Sequence, residues 1–266
     1  METLQIAVDE RGVARVMMNR PEVFNAFNEL MISELSQAIA HCTADPAVRL
    51  IVLAGAGKAF SAGADIQWMR RASEATQEWN LADARRFADM LHVIQACPKP
   101  TLARVQGLAL GGGVGLALAC DIAVASEEAK FAVSEARFGI LPAVIGPYVI
   151  NAVGPRQARR LALTASRIGA REALQLGLVQ EVVELSELDV ALERLISELM
   201  AGGPAAQAEI KSLFAQLEVG PISPEVRELT AQTISRVRMT AEAREGFAAF
   251  LDKRPAAWHA GTKEQQ

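Results

Sequence analysis

The sequence predicts an α/β protein in which helices cover a largely parallel sheet. Short runs of β-branched and aliphatic residues recur through the first half of the chain, and the intervening stretches have apolar residues at three-to-four spacing. From about residue 186 onward the strand-like runs stop and helical periodicity continues. This order favours repeated strand-helix units followed by a helical C-terminal region, and we place the two parts at residues 1–190 and 191–266.

The individual elements follow from local signals. Asn28 directly precedes an apolar periodic stretch and is expected to cap the first long helix, whereas Gly154-Pro155 predicts a break before RQARRLALTA. Breaks at Gly202-Gly203-Pro204 and VGPISPEV divide the C-terminal helices. The predicted strands are VARVMMN, RLIVLAG, TLARVQG and DIAVAS, and the clearest helices are NELMISELSQAIAHC and ADARRFADMLHVIQAC.

Composition excludes several classes of function. The 266 residues carry a net charge of -4 with no basic patch, which argues against a nucleic-acid partner. The uncharged run between Arg104 and Asp121 contains five glycines and is too short for a membrane span, and the N-terminus lacks the order of a secretory signal. The three cysteines form neither a disulfide framework nor a metal-binding pattern. We therefore expect a cytoplasmic protein without a metal, a membrane or a nucleic acid.

The most unusual stretch is LGGGVGLALACD, residues 110–121. Three glycines stand at the start of an apolar helix, although a glycine inside a helix costs about 1 kcal/mol. Backbone N–H groups at a helix start lack internal partners, so such an end can hold an anion or a developing oxyanion. Close packing of the helix on a sheet is the alternative. A P-loop fails because Gly113 stands where lysine is needed, and a dinucleotide fingerprint fails at Leu116.

Two further segments extend this interpretation. GAGKAFSAGADIQWM, residues 55–69, follows the strand RLIVLAG and offers backbone amides from Ser61 to Ile66. FAVSEARFGILPAVIGPY, residues 131–148, places Glu135 among mostly apolar residues. A carboxyl group in such surroundings is a candidate general acid or base.

Together with NRPEVFNAFN (19–28) and EGFAAFLDKRPAAW (245–258), these segments resemble the crotonase, or enoyl-CoA hydratase/isomerase, superfamily in the same order. The resemblance covers nearly the whole chain. It implies a crotonase (ClpP-like) spiral of ββα units with a helical C-terminal trimerisation region, and a homotrimer or dimer of trimers. It also implies an acyl-CoA thioester as substrate and no separate cofactor, because coenzyme A is part of that substrate.

Site residues are carried over from the resemblance by position. The backbone N–H groups of Ala64 and Gly112 would form the oxyanion hole, with Glu135 as the acid/base. Asp65 either contacts CoA or caps its own loop, and Arg20 is either structural or faces the ligand. Lys58 and Lys253 would lie near the CoA phosphates and Phe250 near the adenine, although core packing is the alternative for Phe250. The predicted substrate contacts are Lys58, Ala62, Asp65, Ile66, Gln67, Gly111, Gly115, Tyr148, Phe250 and Lys253.

One position departs from the hydratase pattern, because Gly115 stands where a first glutamate is expected. Three outcomes follow. Glu135 performs both proton transfers of a hydration, or it shuttles a proton between carbons as an isomerase, or Gly115 makes room for a branched or carboxylated acyl chain.

Other stretches, including PAVIGPYV and FSAGADIQWM, resemble bacterial hydratases of 3-methylglutaconyl-CoA or isohexenylglutaconyl-CoA, which belong to leucine or acyclic-terpene breakdown. Tyr148 is then a candidate wall of the acyl pocket, and Trp68 and Trp79 flank a segment that either covers it or forms a surface helix. We expect a 2-enoyl-CoA hydratase. The alternatives are a Δ3,Δ2-enoyl-CoA isomerase and an inactive CoA-binding oligomeric module.

Overall fold

Two sheets organise the chain in a computed structural model that describes residues 1–259. The larger sheet of the described chain has the order β1-β2-β3-β4-β6-β9, and its neighbouring strands are parallel except for the antiparallel pair β1 and β2. Its strands are β1 (Leu4–Val8), β2 (Val13–Met18), β3 (Leu50–Gly55), β4 (Thr101–Val105), β6 (Ile122–Ser126) and β9 (Glu181–Val183). The smaller sheet has the order β5-β7-β8, with β5 (Leu108–Leu110), β7 (Lys130–Ala132) and β8 (Ile168–Gly169).

Helices follow the strands in the order that the sequence predicted. They are α1 (Glu29–Ala44), α2 (Ile66–Glu74), α3 (Gln77–Gln95), α4 (Gly112–Ala119), α5 (Gly146–Thr164), α6 (Ala170–Leu176), α7 (Leu188–Ala201), α8 (Pro204–Phe214), α9 (Pro224–Arg238) and α10 (Ala241–Asp252). Asn28 caps α1 as expected, since its side chain accepts a hydrogen bond from Met31 N at 3.1 Å. The predicted break at Gly154-Pro155 is a kink inside α5, where Gly154 has φ 73°.

The inner strands of the larger sheet are largely buried on both faces, whereas four of the five residues of the edge strand β1 are exposed. This burial explains why the inner strands are mostly apolar runs. Along β3, Ile51 and Leu53 face the main core under the helices, whereas Leu50 and Val52 face a second cluster. That second cluster is closed by Leu192 and Ile196 of α7. The predicted α/β class is therefore confirmed, with α7 covering one face of the larger sheet.

The described chain beyond β9 contains helices but no strand, and α8 and α9 bury no residue. Trp258 attaches the end of this region to the rest of the fold: its indole N–H donates to Ala201 O at 3.0 Å, and its carbonyl accepts from Arg49 at 3.2 Å. Whether residues 191–266 form a separate unit stays a prediction.

Within residues 1–259, no helix is long and apolar enough to cross a bilayer. The segment between Trp68 and Trp79 consists of α2 and the start of α3. It is not a plain surface helix, because Trp68 is 8% exposed and belongs to the main core.

Candidate active site

Two loops that are far apart in sequence meet at their backbones. Leu110 N donates to Ser61 O at 3.0 Å, and Ser61 N donates to Leu108 O at 2.9 Å. On the other side of the first loop, Phe27 accepts from Asp65 N at 3.0 Å and donates to Gly63 O at 2.8 Å. The first loop is therefore held between the segment at Phe27 and the strand that leads into the glycines.

Ala64 and Gly112 have backbone N–H groups that donate to no other group in residues 1–259. The bonds to Phe27 use the residues on either side of Ala64, so the Ala64 amide faces away from Phe27. A Cβ added at Gly63 would lie 3.5 Å from Gly112 N, which shows how closely the two loops approach. Gly112 is also the first residue of α4, where the helix dipole is positive. The two amides are therefore available to a ligand oxygen, and their role as an oxyanion hole stays a prediction.

Each glycine of the triplet is required for a different reason. Gly111 has φ 50°, a conformation that residues with a side chain rarely adopt. A Cβ added at Gly112 would lie 2.2 Å from Phe27 Cζ, and one at Gly113 would lie 2.5 Å from Ser61 O. Close packing therefore excludes side chains from the helix start, which is the packing interpretation of the sequence. The binding of an oxyanion by the free Gly112 amide stays a prediction.

Glu135 lies beside this helix start. It follows β7 as the first residue of a short 3-10 turn, Glu135–Phe138, and a Cβ added at Gly111 would lie 3.2 Å from its Oε1. Its Oε2 is buried and has no hydrogen-bond partner among the described residues. Burial raises the pKa of the Glu135 carboxyl above its usual value, and hydrogen bonds from the backbone at Glu135 and Ser134 oppose that shift only in part. A carboxyl group held in this way exchanges a proton more readily near neutral pH than an exposed glutamate.

Asp65 is used within the fold. One carboxylate oxygen accepts from Gln67 N at 2.8 Å and Trp68 N at 3.4 Å, which caps α2. The other accepts from the Arg20 guanidinium at 2.9 Å, and Arg20 also donates to Ala26 O at 2.6 Å. Burial alone would raise the pKa of Asp65, yet the hydrogen bonds from α2 and Arg20 hold it below its usual value. Of the two roles considered for Asp65, the structure shows the capping one, and it shows Arg20 in a structural role.

Asn25 supports the first loop in a way that the sequence did not indicate. Its buried side chain donates to Ala56 O at 2.9 Å and to Ala59 O at 2.8 Å. Its carbonyl accepts from the Ser61 hydroxyl at 2.9 Å, and Ser61 Oγ accepts in turn from Gly63 N at 3.1 Å. An asparagine within the motif NRPEVFNAFN was the available signal, since asparagine tolerates the positive φ of 54° found here.

The idea that Gly115 leaves open space for an acyl chain needs correction. A Cβ added at Gly115 would lie 2.4 Å from Ile145 Cγ2 and 3.4 Å from Leu91 Cδ1. Ile145 is 1% exposed, so its side chain already fills the space in front of the glycine. Gly115 is therefore required by packing, and a glutamate at this position would displace Ile145. Sequence reasoning missed Ile145 because its partner lies 30 positions away.

The remaining predicted substrate contacts differ in how exposed their side chains are. Ala62 is half-buried and donates its N–H to Phe24 O at 2.9 Å, while Ile66 and Gln67 begin α2 with exposed side chains. Lys58 is exposed. Tyr148 is half-buried in α5 and lines a cavity of about 460 Å³ together with Gln95 and Val144. A contact of these residues with substrate stays a prediction.

The two predicted C-terminal contacts are on α10 and just after it. Phe250 is 82% exposed, so the alternative of core packing within this chain is wrong. Lys253 is an exposed left-handed residue that ends α10, with φ 53°. Helix α10 packs against α8 and α9.

The Arg20–Asp65 pair generates a prediction about stability. Replacing Arg20 by Met should lower the free energy of unfolding by about 3 kcal/mol, because it leaves the largely buried Asp65 carboxylate without its counter-charge. The double variant Arg20→Met/Asp65→Asn should lose less than the sum of the two single variants, since it leaves no unpaired charge. Denaturant unfolding of the four proteins measures the coupling. The exposed pair Arg70–Glu74 serves as the control and should show almost none. Strict additivity at Arg20 and Asp65 would contradict the assignment.

Glu135 generates a prediction about pH. Because its folded-state pKa is raised, its protonated form favours the fold, and that stabilisation is complete below the unfolded pKa of about 4.3 and is lost as pH rises through the folded value. A neutral Glu135→Gln variant should therefore melt at a higher temperature than the wild type at pH 8. The difference in melting temperature between the variant and the wild type should be smaller at pH 4.

Calorimetry at the two pH values tests this expectation. Glu10→Gln is the matched control, because Glu10 is exposed and its replacement should leave the melting temperature unchanged at both. A Glu135→Gln variant that melts lower than the wild type at pH 8 would show that the charged form is stabilised by a group that we have not identified.

The chain is similar in sequence and fold to known proteins over most of its length. A model of the enoyl-CoA hydratase/isomerase family matches residues 9–261. A crystal structure of an enoyl-CoA hydratase from Shewanella pealeana has a TM-score of 0.93 at 40% identity, with 96% of each chain covered. The crotonyl-CoA hydratase of Syntrophomonas wolfei is 34% identical over 253 residues, which are 93% of this chain and 94% of its own. The short-chain-enoyl-CoA hydratase of Clostridium acetobutylicum is 36% identical over 213 residues, 77% of this chain and 79% of its own. The likeness confirms the predicted crotonase fold, and the chain therefore belongs to the enoyl-CoA hydratase/isomerase family of enzymes.

Proposed function

We propose that this enzyme adds water across the double bond of a 2-enoyl-CoA thioester, with Glu135 as the only carboxylate that transfers protons. The observation that carries the proposal is the position of the Glu135 carboxyl beside Gly111, next to the free Gly112 amide. The names of the related hydratases support the same reaction.

The mechanism follows from the available groups. The Ala64 and Gly112 N–H groups hydrogen-bond the thioester oxygen, which becomes negative as the reaction proceeds. Ionised Glu135 takes a proton from a water molecule while the water oxygen bonds to C3, and the C2=C3 electrons move toward the thioester to form an enolate. Protonated Glu135 then gives its proton to C2. The sum is one water molecule added, and Glu135 returns to its starting state.

For the acyl chain we propose a branched or glutaconyl type such as 3-methylglutaconyl-CoA, which would place the reaction in the breakdown of leucine or of acyclic terpenes. The support is the likeness of FSAGADIQWM and PAVIGPYV to such hydratases, together with the missing carboxylate at Gly115. Since Ile145 fills the space at Gly115, any additional room for a branch has to lie elsewhere along the chain.

A single proton-transferring carboxylate also favours a second candidate, the Δ3,Δ2-enoyl-CoA isomerase. In that reaction Glu135 removes a proton from C2 of a 3-enoyl-CoA and returns it to C4, so no water is consumed. The two candidates are distinguished by offering crotonyl-CoA, 3-methylglutaconyl-CoA and a 3-enoyl-CoA separately and measuring both the product mass and the absorbance of the conjugated thioester. A gain of one water identifies hydration, whereas a gain of that absorbance from the 3-enoyl-CoA at unchanged mass identifies isomerisation.

We also propose that the chain assembles as a homotrimer or a dimer of trimers. Large apolar side chains of the C-terminal helices are exposed in the single chain, among them Phe214, Phe247 and Leu251. Exposed apolar surface of this extent is typical of a protein interface. A location in the cytoplasm stays a prediction.

Glu135→Gln should lower the rate of hydration by about 10²- to 10⁴-fold, the usual range for loss of a general acid/base. The loss of absorbance of the conjugated thioester measures the rate with crotonyl-CoA and with 3-methylglutaconyl-CoA. In the wild type, activity should fall as pH drops through the raised pKa of Glu135, because the water-activating form is the carboxylate. Full activity in Glu135→Gln would exclude the proposed proton transfer.

Gly115→Glu should reduce both stability and crotonyl-CoA hydration, because its Cβ would overlap the Ile145 side chain. The double variant Gly115→Glu/Ile145→Ala removes the overlapping Cγ2 and should recover part of both losses. Ile145→Ala alone is the control and should be destabilised by about 2 to 5 kcal/mol. The packing argument is wrong if Gly115→Glu is as stable as the wild type.

A further inference from the structure

Trp68 has a buried indole N–H with no acceptor. The residue is 8% exposed, and within residues 1–259 its Nε1 has no hydrogen-bond partner. Tryptophan Nε1 only donates, so no rearrangement of its own hydrogen atom provides a partner. Because buried polar atoms nearly always have a partner, this one requires an explanation.

The side chain of Trp68 is held firmly by its surroundings. Its backbone N–H is part of the cap that Asp65 provides for α2. Its ring centroid lies 6.0 Å from that of Phe27 and 6.5 Å from that of Phe87, and the rings of Phe27 and Phe87 are 5.2 Å apart. These three rings, which we call the aromatic wall, offer packing to the indole but no oxygen acceptor.

The aromatic wall adjoins the candidate reaction centre. Phe27 Cζ and Phe87 Cζ would lie 2.2 and 2.9 Å from a Cβ added at Gly112, whose N–H is one of the two free amides. Trp68 itself comes four residues after Ala64, which supplies the other amide. An acyl chain whose carbonyl oxygen binds both amides therefore starts beside this wall.

The other buried side-chain nitrogen and oxygen atoms without a partner in the described chain are Glu135 Oε2, Arg49 Nε and Ser126 Oγ. Glu135 is explained by its role in proton transfer. Arg49 binds the carbonyls of Gly202 and Trp258 near the C-terminal end, and Ser126 ends strand β6, so neither belongs to the site. The two unpartnered side-chain atoms that we place at the site are thus one acid and one neutral donor. The water that adds to the double bond would bind the first, whereas a purely apolar acyl chain would leave the second unpaired.

We propose that the Trp68 indole N–H donates a hydrogen bond to an oxygen on the acyl chain, and that it selects acyl-CoA substrates whose tail carries such an acceptor. The inference rests on the proposed function, since it takes the acyl chain to start at the Ala64 and Gly112 amides. A terminal carboxylate and a neutral carbonyl are two sources of the same acceptor chemistry.

Binding of saturated thioesters tests the proposal without any turnover. Pentanoyl-CoA, glutaryl-CoA and the methyl ester of glutaryl-CoA have tails of matched length without an acceptor, with a carboxylate and with a neutral carbonyl. Calorimetric titration of the full-length wild type should give about three- to tenfold tighter binding for at least one of the two oxygenated ligands than for pentanoyl-CoA, the range expected for one hydrogen bond. The ligand that binds more tightly than pentanoyl-CoA shows which kind of oxygen is recognised.

Trp68→Phe keeps an aromatic ring and removes the N–H. It should abolish the preference, so that pentanoyl-CoA and the two oxygenated ligands bind this variant with similar affinities. Trp79→Phe is the matched control and should keep the preference. If Trp68→Phe does not fold, a benzothienylalanine at position 68 retains the bicyclic ring and replaces the N–H by sulfur.

Three results would overturn the inference: no preference in the wild type, a preference that persists without the N–H, or an equal loss of affinity for all three ligands. The last result would mean that Trp68 only packs. Hydration of crotonyl-CoA by the wild type is measured in parallel. Absence of both hydration and isomerisation overturns the proposed function, whereas intact hydration without an indole-dependent preference overturns only the role of Trp68.

Discussion

The close backbone approach of the loops at Ser61–Ala64 and Leu110–Gly113 is the constraint on which the rest of the site depends. Ser61 is joined by one hydrogen bond to Leu110 and by another to Leu108, and an atom as small as a Cβ at Gly113 would overlap Ser61 O. Side chains at the helix start would push the loops apart and separate the amides of Ala64 and Gly112. The stability lost by placing glycine in a helix is small beside the factor of about 10² to 10³ in rate that one oxyanion donor contributes.

The residues that position these two amides are different from the amides that would bind a substrate. Asn25, Arg20 and Asp65 use their polar groups on the backbone and on each other, and in doing so they fix the first loop and the start of α2. The amides themselves are left without a partner in the described chain. The polar side chains thus stabilise the loop, and the N–H groups of Ala64 and Gly112 remain available to bind a substrate oxygen.

Motifs, caps and the alternation of strands and helices could be predicted from the sequence because they depend on neighbouring residues. Asn28 caps its helix through a residue three positions away, and Glu135 lies three residues past the end of β7. What could not be predicted depends on contacts between distant segments. Ile145 fills the space at Gly115, and Phe27 packs on Gly112, across separations of 30 and 85 positions. No local pattern encodes which side chain occupies the space in front of a glycine.

The contact between Gly115 and Ile145 also affects the acid-base chemistry of Glu135. A second carboxylate near Glu135 would raise its pKa through like-charge repulsion and would share the work of orienting water. With Gly115 covered by Ile145, burial is the principal cause that raises the pKa of Glu135. Burial disfavours the charged form of Glu135 whatever the neighbouring charges are. The substrate therefore raises the pKa of Glu135 further when its acyl chain displaces water. The proton affinity of the lone carboxyl then depends on how completely the acyl chain closes the site. This couples acyl-chain fit to proton transfer without a second ionisable residue.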